Sequence, residues 1–300
     1  MVVRVDCHQH LWPAPFIEAL RMRQAPPRLR GWTLETVGEQ PMLISPLDHE
    51  PGARAASELA AGNQRALISL SSPLGIEYLP ADESAQLLDA WHDGAASLGE
   101  PFELWASVNV ARPDLDQLKV VLARDRVVGL QLPATALSDT AGVERMGDVL
   151  AVLARSDLPL LVHPGPVANY HRGSPPWWPA MVPYLAQLQA AWFAWHVLGR
   201  AAHPTLRVAF VALAGLAPLH HERLTARGGA LGEIDPRIYY ETSSYGPRAI
   251  DATVRVVGVD AVVHGSDRPY AESTDPGLGD AFSHAMFVVN PHHLLTGDTR

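Results

Sequence analysis

Short apolar or β-branched runs alternate along the chain with segments of helical periodicity. The runs lie at residues 2–7, 66–70, 103–109, 127–132, 158–162, 207–212, 238–242 and 261–265. Several are nearly continuous hydrophobic stretches, which are typical of parallel strands buried on both faces. Amphipathic segments separate them, at residues 83–98, 115–123, 143–154, 178–198, 219–226 and 248–257. This alternation predicts right-handed β-α-β crossovers.

Eight such units within 300 residues fit an α/β protein with a closed (β/α)8 TIM barrel, which commonly forms one domain of about 250 residues. We therefore predict a single barrel domain over residues 1–300. An open doubly wound sheet is the alternative, although no G-x-G-x-x-G motif and no Walker-type loop supports its nucleotide-binding form. The proline-rich stretches 24–51 and 164–183 are predicted to be elaborated loops at the C-terminal face.

Composition narrows the class of protein. The chain is 47% hydrophobic and has a formal net charge of −9, without a cluster of lysine or arginine, which argues against nucleic acid as a partner. The apolar segment 177–198 is interrupted by prolines and polar residues, so we expect a buried or cleft-lining helix rather than a membrane span. Cys7 is the only cysteine, and the amino terminus lacks a signal-peptide core; both features favour the cytoplasm.

Histidines stand where the predicted first and fifth strands end. His8 and His10 are two residues apart, and side chains with that spacing share one face of a strand. His163 closes the fifth run, and Asp267 follows shortly after the last run. Because catalytic groups of a barrel lie at the carboxyl ends of its strands, we expect these four side chains to converge.

Three neutral imidazoles and one carboxylate are a typical ligand set for zinc, and they also suit Mn²⁺, Fe²⁺ or Co²⁺. Taken singly, each residue has a plainer interpretation. A histidine near a strand end is commonly structural, and an aspartate after Gly-Ser is a common turn residue. Their joint placement at three strand ends favours a metal site. We therefore predict one divalent ion, with Zn²⁺ as the first choice, held by His8, His10, His163 and Asp267.

The motifs around these residues resemble those of the amidohydrolase superfamily, in particular the amidohydrolase-2 group that includes the aminocarboxymuconate-semialdehyde decarboxylase-like enzymes. Residues 6–10 resemble the group's opening D-x-H-x-H. Residues 265–269 are similar to its G-S-D-x-P, which is the most specific of these motifs. The resemblance extends over nearly the whole chain, with further similar segments at 160–164, 203–208, 238–242 and 290–295.

This resemblance implies that His8, His10 and His163 are metal ligands. It makes Asp267 a ligand or close partner of the metal and the proton acceptor for its water. Binuclear relatives carry a carboxylated lysine at the end of the fourth strand, whereas Lys119, the only lysine here, falls in a predicted helix. One metal ion is therefore implied.

The chain departs from the group after the sixth strand, where relatives have a histidine and this sequence has Ala212. In decarboxylase members that histidine is thought to activate water or handle the proton. His196, His220, His221 and Tyr245 are candidates to replace it. Hydrolysis of an amide or related carbonyl bond by a metal-activated water needs only one base, Asp267, and is the preferred prediction. Decarboxylation of an unsaturated or aromatic acid is the second, and a non-catalytic binding protein is the third.

Aromatic residues near the predicted mouth suggest a small apolar or peptide-like substrate. Some relatives in peptide natural-product pathways cleave an amide beside a modified heterocycle, and such a substrate would suit an aromatic mouth. The candidate substrate-binding residues are Trp12, Trp177, Arg223 and Tyr245. Arg172, Arg248 and Arg268 are further candidates for holding a carboxylate.

Two other observations leave alternatives open. Trp192 and Trp195 are three residues apart, so they either line the mouth or pack against the barrel as one face of a helix. Relatives in the group are often dimers, which makes a homodimer one candidate assembly.

Overall fold

Eight parallel strands follow one another in chain order around a barrel. They are β1 Val5–Gln9, β2 Arg65–Ile68, β3 Phe102–Ala106, β4 Val127–Pro133, β5 Leu160–His163, β6 Val208–Phe210, β7 Ile238–Glu241 and β8 Val262–Val263. This computed structural model describes residues 3–168, 173–230, 234–273 and 275–298. The predicted (β/α)8 barrel is confirmed, with strand ends that shift by a few residues from the predicted runs.

Backbone hydrogen bonds between β1 and the segment after β8 close the ring. The Cys7 N–H donates to the His264 carbonyl at 2.8 Å, and the Asp267 N–H donates to the His8 carbonyl at 2.9 Å. The His10 N–H donates to the Arg268 carbonyl at 2.6 Å. The barrel is therefore closed rather than an open sheet, and its closure brings His8 and His10 next to Asp267.

Helices connect the strands of the barrel. The α-helices are Ala14–Met22, Pro51–Ala60, Ala81–Ala96, Leu115–Leu122, Thr140–Arg145, Gly147–Arg155, Trp178–Met181, Pro183–Ala194, Arg200–Ala202, His221–Ala226, Pro247–Val257, Asp280–His284 and Asn290–Thr296, with π-helical turns at Trp195–Gly199 and Ala285–Val289. The predicted helix 178–198 is divided, because Pro183 lacks the N–H that a helix interior requires and instead starts a new helix.

The segment 24–51 was predicted as a loop, and the structure corrects this in part. It contains a small antiparallel sheet of three strands, Arg28–Arg30, Thr33–Glu35 and Met42–Leu43. Pro51 opens a helix that the sequence analysis missed, at the first position, where no N–H is needed. The Glu50 side chain caps that helix by accepting from the Gly52 N–H at 3.1 Å.

The two predicted loop elaborations touch each other. Gly38 approaches the Val167 carbonyl so closely that a Cβ at position 38 would lie 1.7 Å from its oxygen. The Gln40 amide donates to the Ser174 carbonyl at 2.7 Å. Because these stretches follow β1 and β5, they meet at the carboxyl face of the barrel, as predicted.

The interior is rich in large aromatic side chains. Trp192 and Trp195 are both buried in the main core cluster. Of the two alternatives left open by the sequence, the structure therefore favours packing against the barrel over lining the mouth. A second cluster, around Trp12, Phe16 and Trp91, packs beneath the first strands. None of the helices in the described residues is long and apolar enough to cross a membrane.

Candidate metal centre

The four side chains singled out in the sequence converge at the carboxyl end of the barrel. His8 lies in β1, His10 directly follows it, His163 is the last residue of β5, and Asp267 lies four residues beyond β8. Each offers one ligand atom, and these atoms all lie within 4.8 Å of one another. The three imidazole centroids are 4.9, 5.0 and 5.1 Å apart. The predicted convergence is therefore present in the fold.

Backbone carbonyls fix how two of the imidazoles face the centre. His10 Nδ1 lies 3.0 Å from the Ser69 carbonyl oxygen, and His163 Nδ1 lies 2.9 Å from the Pro164 carbonyl oxygen. A carbonyl can only accept, so each Nδ1 carries the proton and each Nε2 keeps a lone pair. This tautomer is the one that a metal-binding histidine needs.

Burial keeps the other imidazole atoms available as neutral ligands. It lowers the pKa of His8 to about 3 and that of His163 well below its usual value. His8 Nε2 is buried and has no hydrogen-bond partner in the described residues. A buried nitrogen without a hydrogen-bond partner costs free energy unless something binds it, which fits a role for His8 as a ligand of a cation.

Asp267 is held in an unusual backbone conformation. Its φ is +57°, in the left-handed region that aspartate adopts more readily than most non-glycine residues. Its Oδ1 lies 3.2 Å from His10 Nε2 and 3.9 Å from His8 Nε2. Burial raises the pKa of Asp267, but its contact with His10 and the nearness of His8 and His163 outweigh this effect and lower the pKa below its usual value. The carboxylate is thus ionised and aimed at the histidines.

Asp6 joins β1 to the segment that carries Asp267. One of its oxygens accepts from the Ser266 N–H at 3.0 Å and from the His8 N–H at 3.2 Å. The other accepts from the Gln9 amide at 3.0 Å. Burial raises the pKa of Asp6 to about 7. This residue of the D-x-H-x-H motif therefore has a structural part, in joining β1 to the segment after β8.

Glu241 is a carboxylate that the sequence analysis did not single out. It ends β7, is fully buried, and places Oε2 3.3 Å from His8 Nδ1. Its side chain also accepts from the Ser243 hydroxyl at 2.7 Å and from the Ala212 N–H at 3.2 Å. Burial raises the pKa of Glu241 to about 8. Its place at a strand end is the same signal that identified His163.

The donor set fits one divalent ion. Three imidazole nitrogens and a carboxylate oxygen within ligand range of one another are a ligand set typical of zinc, and manganese accepts such donors too. Lys119 lies on the helix Leu115–Leu122, paired with Asp116 at 2.8 Å. Gln131 lies two residues before the end of β4, and its amide donates to the Leu70 carbonyl at 2.7 Å. The residues present therefore favour a mononuclear centre.

The residues predicted to bind substrate lie in very different surroundings. Trp12 is fully buried in a hydrophobic core cluster and stacks on His49 with ring centroids 4.6 Å apart. Trp177 is 58% exposed. Tyr245 is half-buried and packs against the barrel core.

The predicted arginines are not part of the cluster. Arg223 is exposed on the helix His221–Ala226 and makes no contact with the four ligands in the described residues. Arg248 is exposed near the start of Pro247–Val257. Arg268 is engaged by Glu58 at 2.7 Å. Arg172 lies outside the described residues.

Two tyrosines outside the four candidate substrate-binding residues lie near the cluster. The Tyr270 ring centroid lies 5.4 Å from that of His10. Tyr184 donates its hydroxyl to Glu39 and lies within electrostatic reach of Asp267 and Tyr270. Tyr270 directly follows the G-S-D-x-P motif, which was a usable signal. The Tyr184–Glu39 pair joins residues 145 positions apart and had none.

The sixth-strand position takes an unusual form. Ala212 begins five successive residues, 212–216, with φ between 47° and 63°, a left-handed turn of which only Gly215 is a glycine. No side chain from this turn joins the four ligands in the described part of the chain. The candidate replacements lie elsewhere: His220 is exposed, His221 faces the Pro218 carbonyl, and His196 packs on Trp192.

No protein-family model matches the sequence, and no curated protein does so either. Solved structures do match. IDCase from Metarhizium anisopliae has a TM-score of 0.79 and 17% identity, over 98% of this chain and 97% of that chain. 2,6-Dihydroxybenzoate decarboxylase from Rhizobium has a TM-score of 0.71 and 15% identity, over 99% and 100%.

A third structure is 5-carboxyvanillate decarboxylase from Novosphingobium aromaticivorans, complexed with manganese and 4-hydroxy-3-methoxy-5-nitrobenzoic acid. It has a TM-score of 0.71 and 18% identity, over 98% of this chain and 96% of that chain. At such identities the likeness establishes the fold, which is the one that the resemblance to the amidohydrolase-2 group implied.

Proposed function

We propose that the protein is a mononuclear, metal-dependent enzyme of the amidohydrolase-2 type that decarboxylates an aromatic acid without oxidation. The observation that carries the proposal is the convergence of His8, His10, His163 and Asp267 within 4.8 Å at the barrel mouth. Structures of the same fold that are decarboxylases of aromatic acids support this reaction over hydrolysis, which the sequence alone favoured.

The chain's own residues suffice for such a reaction. A bound divalent ion would supply Lewis-acid stabilisation of negative charge on the substrate oxygens. Asp267 is ionised at rest, so it can accept the proton of an acid or hydroxyl group as the substrate binds. It then delivers that proton to the ring carbon as the bond to the carboxylate breaks and carbon dioxide leaves. The ring carbon gains one proton, and the Asp267 carboxyl group alone transfers it.

This reaction does not need the histidine that relatives have after the sixth strand, where this chain has Ala212. Decarboxylation requires a single proton transfer to carbon, and Asp267 is positioned against the histidines that would flank the substrate. Glu241 receives the Ala212 N–H instead, so this strand end contributes a backbone donor rather than a base.

The identity of the metal belongs to the proposal. The three imidazoles favour Zn²⁺ by ligand type, whereas the matching structure from Novosphingobium aromaticivorans contains manganese. We propose one divalent ion per chain, with Zn²⁺ and Mn²⁺ as the candidates to be separated by elemental analysis of the purified protein.

Hydrolysis of an amide or related carbonyl bond is the second candidate. It is favoured by the presence of one ionised base and by the missing histidine at position 212. In this case Asp267 would take a proton from the attacking water and return it to the leaving group. Aromatic and peptide-like amides are the substrates to test.

Isotope incorporation separates the two reactions. The metal-loaded protein is incubated in ²H₂O with a panel of hydroxybenzoates, and in ¹⁸O-water with aryl amides. Decarboxylation gives carbon dioxide and deuterium at the vacated carbon, both lost in Asp267→Asn. Label in a new carboxylate, with no carbon dioxide from any acid, would instead establish the hydrolase. Protein that binds no stoichiometric metal would favour a non-catalytic binding protein.

A further inference from the structure

A cavity of about 300 Å³ lies between the two loop elaborations at the barrel mouth. One wall comes from the small antiparallel sheet, with Leu34 and Met42, and the other from Pro176 and Pro179. Its volume is at the lower end of the range for small-molecule pockets, roughly 300–1,000 Å³. It has room for one substituted ring rather than for a peptide.

The walls are fixed to each other and to the metal-bearing strands. Gly38 abuts the Val167 carbonyl and Gln40 donates to the Ser174 carbonyl at 2.7 Å. These contacts join the segment after β1 to the segment after β5, the strands that carry His8 and His163. The cavity is therefore a built part of the mouth.

Glu39 connects the cavity to the metal centre. Its side chain lines the cavity and accepts the Tyr184 hydroxyl. Tyr184 is within electrostatic reach of Asp267 and Tyr270, and Tyr270 packs against the His10 ring. Glu39 is thus close enough to act electrostatically on both tyrosines, one of which packs against a candidate ligand.

The lining has one charged group, the Glu39 carboxylate, and no cation among the described residues that form it. A carboxylate offers about four lone-pair positions, of which the Tyr184 hydroxyl takes one. The remaining lone pairs of Glu39 can accept hydrogen bonds from a ligand, and its negative charge repels a carboxylate placed in the cavity. The remaining surface, of proline, leucine and methionine side chains, suits an apolar ring.

We propose that this cavity is a distal subsite for an aryl group that bears a neutral hydrogen-bond donor, and that Glu39 rejects substrates with a second carboxylate there. The proposal rests on the proposed function, since the near end of the same substrate is an acid at the metal. It sets this chain apart from an enzyme that acts on 5-carboxyvanillate, a dicarboxylate. An amine or a hydroxyl on the distal ring is the expected donor.

A matched pair of probes tests the subsite. Binding of 4′-aminobiphenyl-3-carboxylic acid and 4′-carboxybiphenyl-3-carboxylic acid is measured by calorimetry, with and without Mn²⁺. The wild-type protein should bind the amine at least 10-fold more tightly than the dicarboxylate. Glu39→Gln keeps the size of the side chain and should reduce this ratio to about two-fold. Glu35→Gln is the control, because Glu35 pairs with Arg28 on the same small sheet and does not line the cavity.

Equal affinities in the wild type, an unchanged ratio in Glu39→Gln, or failure of both probes to bind would overturn the subsite. Tyr184→Phe should weaken the selectivity in the same direction, and it keeps the test valid if Glu39→Gln does not fold. Selectivity that depends on Glu39, with affinities of both probes that are the same with and without Mn²⁺, would support the subsite and count against the proposed function. If Mn²⁺ strengthens the binding of both probes but the wild type does not prefer the amine, the proposed function stands and the subsite is overturned.

Discussion

Glu241 Oε2 lies 3.3 Å from His8 Nδ1, and both side chains are almost fully buried. A carboxylate that accepts the N–H of a metal-binding imidazole fixes its orientation and makes the other nitrogen a better donor. Glu241 lies within reach of His8 Nδ1 for this role, although the two atoms do not have hydrogen-bond geometry here. The remaining contacts of Glu241, with the Ser243 hydroxyl and the Ala212 N–H, leave its carboxylate little freedom to move. We interpret it as a positioning residue for His8.

Replacement of Glu241 should therefore weaken metal binding. Glu241→Gln keeps the shape but replaces one of two accepting oxygens by a donating NH2, although both oxygens of Glu241 accept from Ser243 and one of them faces His8. We expect a 10- to 100-fold loss of affinity, roughly the effect seen for second-layer partners of metal ligands. Competition with a chromogenic chelator measures it directly. Asp251→Asn, at an exposed ion pair with Arg255, is the control and should leave affinity unchanged. Wild-type affinity in Glu241→Gln would show that the 3.3 Å contact is incidental.

Gly265 gives an independent test of the same contact. A Cβ at this position would lie 2.2 Å from Glu241 Oε1, closer than any real contact, so Gly265→Ala must displace the carboxylate. Metal affinity should fall as in Glu241→Gln, although no ligand has been altered. Gly147→Ala is the matched control, because a Cβ there meets nothing within 4 Å. A Gly265→Ala protein with full affinity would mean that Glu241 can move without consequence for His8.

The fold and the convergence of the four candidate ligands could be predicted because both follow from local rules. A strand of period two puts His8 and His10 on one face, and barrel geometry puts His163 and Asp267 at the same end. Glu241 obeys the same rule, but a glutamate at a strand end is a weaker signal than a histidine.

The rest depends on contacts between distant parts of the chain. The bond between Tyr184 and Glu39 spans 145 positions and exists only because the two elaborated segments meet. The burial of Trp12 follows from its stacking on His49, and no sequence pattern showed that the segment 24–51 would turn back in this way. The predictions of a cytoplasmic location and a homodimer stay predictions.

Removal of a ligand should abolish the stabilisation that metal gives. A ligand present at about 100 times its Kd stabilises a protein by about 2.7 kcal/mol if it binds only the folded state. We expect Mn²⁺ or Zn²⁺ at that concentration to raise the Tm of the wild type and to leave that of His163→Ala unchanged. His292→Ala, at an exposed histidine, should respond like the wild type. An equal shift in His163→Ala would remove this residue from the ligand set.

His92 should make the protein sensitive to acid independently of the metal. It is buried, its Nε2 accepts from the Ser107 N–H at 3.1 Å, and burial lowers its pKa from 6.5 to about 3. Between pH 6.5 and about pH 3, His92 is therefore protonated in the unfolded chain but not in the folded chain. Its contribution to stability is complete above pH 6.5 and is lost as the pH falls toward 3.

Between pH 6.5 and pH 5 this one group should cost about 2 kcal/mol of unfolding free energy. His92→Gln can still accept from Ser107 but does not titrate, so its loss of stability over that interval should be smaller by about this amount. Urea denaturation at the two pH values gives the comparison. Identical losses in both proteins would show that His92 is protonated in the folded state.

Restoring a histidine at position 212 tests whether the proposed reaction is limited by proton handling. Histidine is among the residues that tolerate the left-handed region, so a φ of 47° does not forbid it. General acid-base groups contribute about 10²- to 10⁴-fold, and an imidazole here would add a group with a pKa near 6.5. If Asp267 alone moves the proton, Ala212→His should raise the decarboxylation rate at least 10-fold and add one ionisation to its pH profile. Ala212→Gln, of similar size but without a titrating group, should do neither. A faster Ala212→Gln, or an Ala212→His protein with the wild-type profile, would place the limiting step elsewhere, in binding or product release.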